Sequence, residues 1–235
     1  RGEPQVAVRA RHGDQAQMNA RRVSMAVAAL LSACSSAPLP PDWQLQARPA
    51  LESAVSAQLL GDSGIAQREF ERARALLART GQPGLVARGE LMRCAAQVAS
   101  LDFASCDGFE RLRADAPASE QAYADHLAGR ALAPGAIELL PPAQRATASA
   151  IASKAAPASL QTIDDPLSRL IAAALLFRAG QAEPATIALA ADTASAQGWR
   201  RPLLAWLEVQ ARLAERAGAN DEAQRLRRQI GRAHV

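Results

Sequence analysis

The chain has 235 residues and a formal net charge of +4, and its 49% apolar content rests on alanine and leucine, with only 3% aromatics. Removing the five arginines and two acids of residues 1–33, and Arg232 near the C-terminus, from 27 basic and 23 acidic residues leaves 21 of each, so the body between them is neutral. That balance excludes the basic footprint that displaces counterions from phosphates, and one tyrosine with four phenylalanines is a poor supply of stacking platforms, so nucleic acid is not an expected partner.

Residues 1–17 begin without methionine, are polar and unpatterned, and are expected to be a non-native leader outside the fold. Residues 18–33 then follow the order of a secretory signal, with Arg21 and Arg22 ahead of a short apolar run, Val23 to Leu31, and small residues after it. That run is shorter than the ~20 apolar residues needed to cross hydrocarbon. It ends in Leu31-Ser32-Ala33-Cys34, which resembles the lipobox of Gram-negative bacterial lipoproteins. The resemblance implies diacylglycerol transfer to the Cys34 thiol, cleavage between Ala33 and Cys34, and acylation of the new amine. Ser35 after the cysteine, rather than aspartate, implies the inner leaflet of the outer membrane, facing the periplasm, as the anchorage. Acyl chains contributing ~0.8 kcal/mol per buried methylene hold such a protein without a protein span. Residues 34–48, with Pro38, Pro40 and Pro41, read as a flexible tether that proline stiffens.

Residues 49–229 are expected to form a single helical domain. Leu51, Val55 and Leu59 recur at helical spacing up to a stop at Gly61, and a second helix capped at Asp62 or Ser63 carries Ala66, Phe70, Ala73 and Leu77 on one face. A third runs from about Pro83 to Leu101. Cys94 and Cys106 are the thiols left once Cys34 is acylated, and an oxidising compartment can bridge them across the turn that follows this helix; two buried free thiols are the alternative. Ser119 to Leu127 is helical, while Pro134, Pro141, Pro142 and Pro157 divide the rest of that stretch into short pieces. Asp165 and Pro166 cap a helix that ends at Gly180, Pro184 opens the next, and Pro202 the one that runs to Gly218, apolar on two sides. Residues 230–235 are expected to be a non-native tail.

Glycines ending helices at 61, 180 and 218 are each followed five positions later by alanine, at 66, 185 and 223. With Phe70 and Ala73 added, Gly61-Ala66-Phe70-Ala73 is similar to the turn and second helix of tetratricopeptide repeats, which implies close-packed helix pairs. The expected fold is therefore all-α, with antiparallel helix pairs in a tetratricopeptide-like α-solenoid; an irregular helical bundle is the alternative.

Catalytic and cofactor signatures are sparse. His126 is the only histidine of the body, no Gly-x-Ser-x-Gly elbow accompanies it, and Asp164-Asp165 is read as helix capping. No metal site, phosphate loop or cofactor is expected. Trp199, Arg200 and Arg201 form the most unusual surface candidate: either Trp199 staples a helix entry while both arginines project outward, or the three anchor an interface. The chain also resembles short alanine-rich lipoproteins of uncharacterised role. The expected function is protein-protein interaction or scaffolding with another envelope protein, and the alternative is an envelope hydrolase acting on glycan or peptide through an unmarked acid pair.

Overall fold

The computed structural model describes residues 41–156 and 159–233, and every described element is a helix, without a strand among them. Cys34 and the lipobox lie outside the described residues. From Pro41 onward the chain forms one compact unit.

Helix α1, Asp42–Leu60, starts inside the span read as tether. Pro38, Pro40 and Pro41 made that span look non-helical, and within the helix Pro49 removes one hydrogen bond, an interior proline costing about 3 kcal/mol. Here Trp43, Ala47, Ala50 and Ala54 form one stripe packed on the neighbouring helices, and that burial outweighs the missing hydrogen bond. Gly61 closes the helix at φ +94°, and the amides of Gly61 and Asp62 both donate to the carbonyl of Ala57. Helix α2, Ser63–Ala78, then returns along α1 with Ala66, Phe70, Ala73 and Leu77 buried. Helix α3, Pro83–Ala99, is buried nearly all round, because α1 and α2 cover one side and later helices cover the other.

Short pieces follow, as the prolines require: α4, Asp107–Glu110; a 3-10 turn at Arg113–Asp115; α5, Ala118–Leu127; α6, Pro134–Ile137; and α7, Pro142–Ser153. After a second 3-10 turn, Leu160–Thr162, helix α8, Pro166–Arg178, runs through the centre with every residue from Leu170 to Leu176 buried. Its start is capped by Asp165, whose Oδ2 accepts the Ser168 amide proton at 2.7 Å. Helices α9, Pro184–Ala196, α10, Arg200–Arg216, and α11, Asn220–Ala233, complete the chain. Residues 230–233, read as tail, add the last turn of α11, and Ile230 packs beside Leu207, Ala211 and Leu226 because it continues their helical spacing.

The fold is all-helical, with neighbouring helices paired by short turns. Gly61, Gly180 and Gly218 share a left-handed φ. Ala185, the small residue of the second copy, is exposed. Helix α10 packs against α9, α11 and, distant in sequence, α1. Antiparallel pairing of this kind is compatible with an α-solenoid and with a helical bundle.

Cys94 on α3 and Cys106 just before α4 are joined as a disulfide with Cα atoms 5.9 Å apart, across a sequence separation of 12. Closing a loop of that length is worth about 3 kcal/mol in the chain-entropy model. Urea unfolding of the Cys94→Ser/Cys106→Ser double variant is expected to show a loss of that size, reproduced in the parent protein by a reductant; equal midpoints with and without reductant would refute it.

Candidate functional site

Several charged and polar side chains are buried, and each is held by partners inside the fold. Glu90 on α3 is 2% exposed, with the Arg74 Nε–H donating to it at 2.9 Å and Arg93 Nη2 at 3.3 Å. Its carboxylate occupies the space beside Gly108, where an added Cβ would stand 2.0 Å from Oε2, so only glycine lets α4 approach. Glu120 on α5 accepts from Ser119 Oγ and, at 2.6 Å, from Arg88 Nη2. Burial pushes the Glu120 carboxyl up, but the bonds from Ser119 and Arg88 outweigh it and hold the group below its ordinary range.

His126, also on α5, is 2% exposed and lies between helices, its Nε2 3.3 Å from Gln144 Oε1, while Gln144 Nε2 donates to the Ser168 carbonyl. Burial lowers its pKa to about 4, against the smaller opposing effect of Gln144. Tyr123 nearby is pushed up by burial and by the charge of Asp165. The imidazole is thus neutral and engaged by Gln144 inside the core, and among the described residues no serine or acid hydrogen-bonds to its ring.

The Trp199-Arg200-Arg201 cluster differs from the expectation of outward arginines. Trp199 is half-buried against the main core, and the two guanidiniums turn inward onto the C-terminus of α1. Arg200 Nε–H donates to the Leu60 carbonyl at 3.2 Å, and Arg201 Nε–H to the Gln58 carbonyl at 2.8 Å, with Arg201 also donating to Ser63 Oγ. Helix ends leave carbonyls without intrahelical donors and carry partial negative charge, so a cation placed there serves both needs. The same device recurs elsewhere: Arg178 donates to the Leu127 carbonyl ending α5, and the Trp206 indole to the Ala99 carbonyl ending α3. Arg178, Arg200 and Arg201 thus close helix ends. Sequence reasoning missed these bonds, and missed Arg74, Arg88, Glu90, Gly108 and Glu120; the one local signal was the pair of charges Arg88 and Glu90 set among the apolar residues of α3.

A concavity lies between α9, α10 and α11. It encloses about 490 Å³ over a floor that includes Ile187, Leu203, Leu207 and Leu226, with Asp192, Glu222 and Arg225 at its rim. Leu213 at its edge is 39% exposed. No family model matches the chain, and comparison with curated proteins and solved structures returns no match. The groove and the buried pairs therefore stand on their own chemistry. Among the described residues no group of three or more His, Cys, Asp or Glu side chains is placed to hold a metal, and no helix is long and apolar enough to cross a membrane.

Proposed function

We propose that this chain is a lipoprotein anchored through acylated Cys34 in the periplasmic leaflet of the outer membrane, with a helical body that works as a protein-protein interaction module. The groove of α9, α10 and α11 supports this role most directly. An apolar floor with charges of both signs on the rim fits an amphipathic peptide segment of another envelope protein, its apolar side chains seated between α10 and α11. A hydrolase acting on glycan or peptide would need a carboxylic acid able to hold its proton near neutrality. Buried Glu120 is held below its ordinary range by Ser119 and Arg88, the opposite of what such an acid requires.

A photo-crosslinking residue placed at Leu213 is expected to capture one discrete partner in cells, and Ala188→Arg, which puts a charge into the same groove, is expected to abolish the adduct. A probe at exposed Gln46 on α1 serves as control. An identical pattern from Gln46, or an adduct indifferent to Ala188→Arg, contradicts the proposal.

A further inference from the structure

A second concavity, remote in sequence from that groove, is enclosed by α1, α2 and α3. It holds about 130 Å³, with Leu51, Val55 and Phe70 among its apolar walls and Gln58, Gln97 and Arg93 among its polar ones. Phe70 and Ala96 at its floor are buried, while Ser63 and Gln67 at its mouth are exposed, so the cavity grades from apolar inside to polar at the opening.

Its charge is unbalanced. Arg93 stands over the Phe70 ring at 4.7 Å and sends Nη2 to Glu90, but its Nε–H is buried and has no acceptor. Glu90 is already engaged by Arg74, so two guanidiniums share one carboxylate, and no acid lines the cavity. Arg201 reaches the mouth as well, through Ser63. The Arg93 side chain as a whole is 34% exposed and lines the cavity, so a charged acceptor that enters meets a guanidinium whose only carboxylate partner is shared.

We propose that this cavity binds a carboxylate on a short apolar stem, the charged end meeting Arg93 and the stem lying against Phe70, Leu51 and Val55. The volume is below the ~300 Å³ at which drug-sized pockets begin, which limits the occupant to a short-chain carboxylate or the terminus of one peptide. The site is independent of the peptide groove, and either can fail without the other.

Titration of the purified full chain with sodium pentanoate at constant ionic strength, followed by amide NMR shifts of residues around Phe70 and Gln97, is expected to saturate. Pentanamide, which has the same stem without charge, is expected to bind at least about tenfold more weakly. Arg93→Gln is expected to abolish the response; because Arg93 also serves Glu90, Ala54→Leu, which fills the cavity and leaves every charge in place, is the second variant. An N-acetylated dipeptide ending in leucine distinguishes the sources: saturation at the same residues assigns a peptide terminus, and pentanoate binding without it assigns a free carboxylate. No saturation with pentanoate, an equal response to pentanamide, or unaltered binding in folded Ala54→Leu overturns the proposal.

Discussion

Trp206→Ala is expected to cost about 3–5 kcal/mol, a large part of the ~5–15 kcal/mol that holds a domain together. Trp206 on α10 is fully buried, meets the Phe177 ring of α8 edge-on at 5.8 Å, and donates its indole N–H to the Ala99 carbonyl at 3.3 Å. It therefore does two things at once. Its rings fill the space where α10 meets the central helices, and its N–H satisfies a carbonyl at the end of α3 that no helical amide reaches. Trp206→Phe separates the two, since it keeps most of the packing and leaves the Ala99 carbonyl bare; a loss of about 1–3 kcal/mol is expected from that alone. Urea denaturation followed by circular dichroism measures both. A Trp206→Phe protein as stable as the parent would show that the hydrogen bond contributes nothing, and a mild Trp206→Ala would remove α10 from its place as the closing element.

Acid is expected to destabilise the protein through His126 before it does so through the carboxylates. Burial lowers the imidazole from its ordinary 6.5 to about 4 in the folded chain, whereas the unfolded chain keeps the ordinary value. Above pH 6.5 both states are neutral and the stability is intact. Between 6.5 and about 4 the unfolded state takes up a proton that the folded state refuses, so stability falls as the pH drops, and below about 4 the loss levels off near 3 kcal/mol. His126→Gln cannot take up a proton and can still meet Gln144, so its stability should stay flat over this window. The carboxylates held low by arginines, Glu110, Glu120 and Glu208, contribute stability that is lost at lower pH, below the ordinary carboxylate range. Denaturation midpoints taken from pH 7 to pH 4 decide the matter: parallel declines in parent and His126→Gln would mean that the imidazole is not the sensor.

The helices were readable because their signals are local. Apolar spacing placed Leu51, Phe70, Leu91 and Leu170 inside, glycines marked the ends at 61, 180 and 218, and Asp165 with Pro166 marked a start. What was not readable depends on partners far along the chain. By sequence Arg200 and Arg201 project outward or anchor an interface, whereas the carbonyls they reach lie some 140 positions earlier. Glu90 looks like a solvated acid until Arg74, Arg93 and Gly108 are seen around it. Pro38, Pro40 and Pro41 misled in the opposite sense, because they extended the tether over a stretch in which Trp43 and Ala47 already pack as part of α1. Ala66, Phe70 and Ala73 of the first tetratricopeptide-like element are buried, whereas Ala185, at the matching position after Gly180, is exposed.

The interaction role assumes that acyl chains on one sulfur, rather than a spanning helix, keep this body at the membrane. Expression of the full-length precursor with Cys34→Ser, followed by metabolic palmitate labelling and separation of membranes from soluble contents, addresses that assumption directly. The account predicts an unlabelled, uncleaved precursor and loss of the mature lipid-bound form. Normal trimming together with undiminished membrane association of the serine variant would contradict it.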